Sequence, residues 1–62
     1  MKLFLVTVPN LNNPKVRDKH LVQARCKSRC KALVKKTAFG TPFNRYNEIG
    51  VSFDDSRERV II

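Results

Sequence analysis

The hydrophobic and polar positions divide the chain into short strands and one long helical segment. Residues 2–8 (KLFLVTV) are apolar on both alternating faces and rich in β-branched and aromatic side chains, which is typical of a well-covered strand. Residues 48–53 (EIGVSF) alternate, with their large apolar side chains on one face. Residues 59–62 (RVII) form another apolar run after the polar turn 54–57. The last two segments predict an antiparallel hairpin.

Between Asn13 and Gly40 the apolar positions recur with the period of a helix. At 100° per residue, an arc of roughly 120° contains Val16, Val22, Cys26, Cys30, Leu33 and Val34. Asn13 before Pro14 is a helix start signal, and Gly40 before Pro42 is a stop signal. Residues 25–31 also alternate basic and small side chains, which is a strand pattern. Length and capping favour a helix of about 26 residues.

These elements predict an α+β fold in the order β-α-β-β, with one long basic helix packed on a small three-stranded antiparallel sheet. Strand order 1-3-2 would place the apolar C-terminal strand in the centre. The alternative is a right-handed β-α-β unit in which the first two strands pair in parallel. A helix of about 39 Å would overhang strands of about 20 Å, so its lysine-rich C-terminal half is expected to be available to a partner.

Length and composition limit the size and class of the protein. Sixty-two residues predict a single domain, residues 1–62, with a small core, and a homodimer is one common way to support such a core. The 42% hydrophobic content favours a folded domain over a disordered basic tail. No stretch approaches the roughly 18 apolar residues that span a bilayer, so we expect a protein of the cytoplasm or another reducing intracellular compartment, with no membrane partner.

The positive charge is concentrated in the predicted helical segment. Residues 13–40 hold nine basic residues and one acid, Asp18, which accounts for the whole net charge of +8. The rest of the chain carries four basic and four acidic residues, and these cancel. DNA and RNA are dense polyanions that release counterions when cations neutralise their phosphates. The distribution therefore predicts a polyanionic partner for this segment.

The candidate nucleic-acid-binding residues are the cations on the exposed side of the predicted helix and an Arg–Tyr pair after it. They are Arg17, Arg25, Lys27, Arg29, Lys31, Lys35, Lys36, Arg45 and Tyr46. An aromatic ring beside an arginine can stack an exposed base, as in single-strand binders. The alternative is that the aromatics after the helix seal the core, and Phe39 and Phe43 are the two expected to be buried.

Cys26 and Cys30 lie on one face of the predicted helix and are interpreted as buried, reduced thiols that fill space. With His20 they supply at most three ligands, too few for a closed zinc site, so no metal is predicted. The chain has one histidine, two glycines and no Ser-His-Asp or Gly-rich phosphate pattern. We therefore predict neither an enzyme nor a cofactor.

Two functional hypotheses follow from the sequence. The first is a small non-enzymatic DNA- or RNA-binding protein, such as a regulator, whose basic helix contacts phosphates. If about six phosphates are neutralised, the affinity for duplex should fall with salt at a log–log slope near −5. The alternative is a small inhibitor or adaptor, for example virus-encoded, that docks its basic helix on an acidic surface of a larger protein.

Overall fold

Four strands and one helix make up the fold. A computed structural model describes residues 1–10, 12–13, 15–53 and 56–62. The elements follow in the order β1 (Lys2–Pro9), β2 (Arg17–Ala24), α1 (Lys27–Lys35), β3 (Arg45–Val51) and β4 (Arg59–Val60). The strands form one antiparallel sheet in the order β3-β1-β2-β4, and α1 packs on one of its faces. Within the described ranges, no helix has the length and apolar content needed to cross a membrane.

β1 is a central strand because both of its faces are apolar and both of its edges are paired. It pairs with β2, where Leu5 lies opposite Leu21, and with β3, where Val6 lies opposite Tyr46. Side chains alternate between the two faces of a strand. Phe4, Val6 and Val8 accordingly lie on the face that α1 covers and are buried.

The core lies between α1 and the sheet. Its buried apolar residues are Phe4, Val6, Val8, Val22, Ala24, Cys30 and Val34. Cys30 and Val34 are four residues apart on α1, so they form one helical stripe facing the sheet. Phe39 packs at the edge of this core, and its ring stacks on His20 with the centroids 3.8 Å apart.

The prediction of a helix beginning at Asn13 is wrong. Asparagines in this region shape the connection between β1 and β2. The Asn10 side-chain oxygen accepts hydrogen bonds from the backbone N–H groups of Asn12 (2.9 Å) and Asn13 (3.3 Å). The Asn13 side chain accepts one from the N–H of Lys15 (3.2 Å). Asn and Asp stabilise turns by this type of bond as readily as they cap helices. Pro14 lies outside the described residues.

The helix is also shorter at its C-terminal end than predicted. Its N-cap is Cys26, which has extended backbone angles, and its C-cap is Lys36, whose N–H donates to the carbonyl of Leu33. The N–H of the next residue, Thr37, donates to the carbonyl of Val34. Nine residues at 1.5 Å each give about 14 Å, so α1 does not overhang the sheet. Gly40 lies four residues beyond the C-cap and does not end the helix. The basic residues of segment 13–40 are consequently divided between a strand, a helix and their connections.

The predicted sheet topology is wrong as well. The three-stranded order 1-3-2 is replaced by four strands, because residues 17–24 pair with β1 as a strand. β4 lies at an edge and pairs with β2 through Val60 opposite Val22, not in the centre of the sheet. β3 and β4 are separated by β1 and β2 and form no hairpin. The parallel β-α-β alternative is also excluded, since β3 runs antiparallel to β1.

Gln23 connects the chain after β3 to the sheet. Gln23 lies between Val22 and Ala24 in the sequence of β2, and its side chain is fully buried on the face of the sheet opposite α1. The Ser52 hydroxyl donates to its Oε1 (2.9 Å), and its Nε2 donates to the carbonyl of Arg57 (2.5 Å). Both polar ends of the amide are therefore satisfied, as burial requires. The predicted turn residues 54 and 55 lie outside the described part of the chain.

Candidate functional site

A cleft of about 670 Å³ lies between α1 and the beginning of β3. It is lined by Lys27, Lys31, Lys35, Gly40, Thr41, Pro42, Asn44, Arg45, Tyr46 and Asn47. Five of these residues are among the candidates that the sequence singles out, namely Lys27, Lys31, Lys35, Arg45 and Tyr46. The fold therefore brings lysines of the helix close to Arg45 and Tyr46, which lie ten and eleven residues after the end of the helix.

One wall of the cleft is a row of three lysines. Lys27, Lys31 and Lys35 are spaced by four residues on α1, so each lies about 6 Å along the axis from the next and on the same side. All three are exposed. Within the described residues, none of them is in an ion pair with an acid, so their charge is not neutralised by that part of the chain.

The opposite wall is the start of β3. Tyr46 is half-buried and packs against the core on the α1 face of the sheet. The Lys31 ammonium nitrogen lies 5.7 Å from the centroid of its ring, within the range of a cation–π contact. Arg45 and Asn47 alternate to the other face of the strand and border the cleft at the outer edge of β3. The wall thus offers one aromatic ring, with an arginine at its rim.

The loop 40–44 closes the end of the cleft and is held by side-chain hydrogen bonds. The Thr41 hydroxyl donates to Asn44 Oδ1 (2.6 Å), and Asn44 Nδ2 donates to the carbonyl of Phe39 (3.0 Å). Gly40 lies so close to α1 that a Cβ there would be 2.5 Å from the carbonyl oxygen of Val34. These contacts fix the loop beside the helix and thereby maintain the concave shape.

The other predicted site residues lie outside the cleft. Arg29 is paired with Glu58, and its Nη2 and Nε donate to Glu58 Oε1 at 2.7 and 3.0 Å. The Arg29 guanidinium and the backbone N–H of Arg25 hold the pKa of Glu58 below its usual value. Arg17 begins β2, and Lys36 is the C-cap of α1. Part of the predicted cationic surface is therefore neutralised by an acid of the same chain or lies on another element.

The aromatic residues after the helix divide between the core and the surface. Phe39 is half-buried, but Phe43 is 71% exposed, so the expectation that Phe43 is buried is wrong. Sequence reasoning also missed the small and amide residues that line the cleft, Gly40, Thr41, Pro42, Asn44 and Asn47. The spacing of Lys27, Lys31 and Lys35 was the signal available for the lysine wall. The loop residues carry no comparable signal, because only the packing against α1 brings them to the site.

The two cysteines have different surroundings. Cys30 is buried in the core, and burial raises its pKa. Cys26 is partly exposed, and hydrogen bonds from the Ser28 hydroxyl (3.2 Å) and the backbone N–H of Arg29 lower its pKa. Both thiols are free. In the described residues, no group of three or more His, Cys, Asp or Glu side chains is arranged to hold a metal ion.

The cleft combines a line of point charges, an aromatic face and amide groups in one concave surface. Lysine ammonium groups bind phosphate or carboxylate oxygens as flexible donors, and a tyrosine face can stack a planar ring. The arrangement is therefore suited to a polyanionic ligand. No protein-family model matches the chain, and the comparisons with curated proteins and with solved structures found no match.

Proposed function

We propose that the protein is a small, non-enzymatic nucleic-acid-binding protein that holds the phosphate backbone in the cleft between α1 and β3. The observation that carries the proposal is the row of Lys27, Lys31 and Lys35, unpaired by the described acids, along one wall of this cleft. From Lys27 to Lys35 the row is about 12 Å long, which spans about four phosphates at the 3.4 Å rise of stacked nucleotides.

The charges outside the lysine row also favour a polyanionic partner. The chain carries +8 overall, so a polyanion is attracted from a distance as well as at the cleft. The two acids of the described strands and connections that form ion pairs, Glu48 and Glu58, are engaged with Lys2 and Arg29. Neither lines the cleft. As far as the described residues show, a phosphate backbone in the cleft would therefore meet cations without a carboxylate beside them.

The salt dependence of binding tests the proposal. The variant Lys27→Gln/Lys31→Gln/Lys35→Gln lowers the net charge from +8 to +5. If each lysine neutralises one phosphate, the log–log slope of affinity against salt should become shallower by about 2 for a single strand and nearly 3 for a duplex. Fluorescence anisotropy of a labelled oligonucleotide across a series of salt concentrations measures this slope.

A control variant of equal net charge distinguishes binding at the cleft from attraction by the overall positive charge. The variant Lys15→Gln/Arg17→Gln/Lys19→Gln also has a net charge of +5, but it changes exposed residues at the start of β2 and just before it, outside the cleft. We expect it to retain most of the wild-type slope. Equal losses in the two variants would contradict the proposed site. Binding of polyglutamate as tight as that of an oligonucleotide of equal charge would instead favour an acidic protein surface as the partner.

A further inference from the structure

We infer that the cleft binds a single strand in preference to a duplex, with one base stacked on the ring of Tyr46 and the adjoining phosphates on the lysine row. This inference rests on the proposed function and assigns a role to Tyr46 within it.

The shape of the site favours a single strand. A helix that reads a duplex must project into a groove about 12 Å wide. Here α1 packs along the sheet through Cys30 and Val34, and the loop 40–44 lies beside its C-terminal end. The lysines consequently line a concavity of about 670 Å³ and do not form a protruding ridge. A strand with its bases unpaired can enter such a cleft, whereas the convex backbone of a duplex touches only its rim.

Tyr46 is the aromatic residue that lines the cleft, and its environment suits a stacking platform. The ring is half-buried against the core, so its position is fixed by packing while part of it remains accessible. A ring held in place loses little rotamer freedom when a base is added. Phe43 is more exposed, but it does not line the cleft.

Lys31 connects the aromatic contact to the phosphate contacts. Its ammonium nitrogen lies over the Tyr46 ring, 5.7 Å from the ring centroid. The side chain is exposed, so this cation–π contact competes with water and is easily replaced. A base stacking on Tyr46 would displace the ammonium toward the phosphates of the same strand. Lys31 therefore exchanges one favourable contact for another when a strand binds.

Tyr46 also provides the readout for the test. It is the only tyrosine in the chain, and there is no tryptophan. Fluorescence excited at wavelengths longer than those that phenylalanine absorbs therefore reports on this one ring. A base stacked on the ring should quench this signal. An oligothymidylate of about eight nucleotides, within the site size of single-strand binders, is the probe. An abasic strand of the same length and charge is the control, and a duplex of that length is the competitor.

The expected results separate the inference from the proposed function. Oligothymidylate should bind and quench Tyr46, and the abasic strand should bind roughly 5-fold to 100-fold more weakly, without comparable quenching. The duplex should bind more weakly than the single strand at equal salt. Equal affinity and equal quenching with the abasic strand, or tighter binding of the duplex, would overturn the inference and leave phosphate binding intact. Failure of every strand to bind at low salt would overturn the proposed function itself.

Variants of Tyr46 provide an independent check. Tyr46→Phe keeps the ring and should retain the affinity for oligothymidylate, whereas Tyr46→Leu should lower it by roughly 5-fold to 100-fold. Circular dichroism monitors folding, because Tyr46 also contacts the core. Phe43→Leu removes an exposed aromatic outside the cleft and should leave the affinity unchanged. Retention of full affinity by folded Tyr46→Leu would contradict a stacking role.

Discussion

Cys26 and Cys30 show how strongly the position of a residue determines its chemistry. They are one turn apart in sequence, yet one is the partly exposed N-cap of α1 and the other is enclosed in the core. A thiolate at Cys26 accepts hydrogen bonds from Ser28 and from the backbone N–H of Arg29, which lowers its pKa. At Cys30 the absence of water disfavours the thiolate and raises its pKa. The thiolate is the reactive form of cysteine, so the two should differ in reactivity.

We expect iodoacetamide to alkylate Cys26 several times faster than Cys30 in the folded protein. Because the pKa of Cys26 is lowered, its rate should reach a plateau at a lower pH than that of an ordinary thiol. Ser28→Ala removes the main stabilising hydrogen bond, so it should shift this pH profile toward higher pH. Mass spectrometry of each cysteine-containing peptide as a function of pH measures both effects. Indistinguishable rates at the two cysteines would contradict their assigned environments.

The loop after α1 depends on a close approach that only glycine permits. Gly40 lies against the carbonyl oxygen of Val34 in the last turn of α1, and a Cβ atom at position 40 would clash with this oxygen. The loop must stay in this position for Thr41 and Asn44 to close the cleft. Gly50 in β3 differs, because a Cβ there would have no atom within 4 Å and its φ is not positive.

Gly40→Ala should lower the free energy of unfolding by about 1–3 kcal/mol, since the new methyl group overpacks against backbone that cannot move freely. Gly50→Ala provides the matched substitution. It should be neutral or stabilising by up to about 1 kcal/mol, because alanine restricts the unfolded chain without a clash. Urea denaturation of both variants measures the difference. Equal stability of the two variants would be incompatible with the packing described for the loop.

The strands at the ends of the chain were predictable because their patterns are local. Residues 2–8 were predicted as a strand and β1 is Lys2–Pro9, while the predicted strands 48–53 and 59–62 overlap β3 and β4. β2 was missed because its burial does not alternate. Val22, Gln23 and Ala24 are buried in succession, since α1 covers one face and the segment tied to Gln23 covers the other. That second cover comes from residues about thirty positions away, so no local period reveals it.

The candidate site was predictable in its residue types and not in its geometry. Lysines of segment 13–40 were singled out on a predicted long helix, and the Arg–Tyr pair was singled out in the connection after that helix. In the fold, Arg29 is paired with Glu58, and Arg17 lies on β2 and not on the helix. What remains at the cleft is Lys27, Lys31 and Lys35 facing Tyr46. This smaller site arises because the connection from α1 to β3 brings the strand alongside the helix.

Exposed cations lie in two separate regions of the molecule, and only one of the two is proposed as the binding surface. The cleft lies between α1 and β3, whereas Arg17 and Lys19 lie on β2, on the other side of the central strand β1. With dimensions of 36 × 20 × 16 Å, the chain is small enough for backbone amide signals from both regions to be resolved in one spectrum.

A ¹H–¹⁵N NMR titration of the wild-type protein with oligothymidylate therefore tests the location of the site most directly. We predict that the amide shifts change mainly in residues 27–35, 40–41 and 44–47, on the elements that border the cleft. Changes concentrated at residues 15–20 of the β1–β2 connection and β2, with the cleft amides unmoved, would contradict the account.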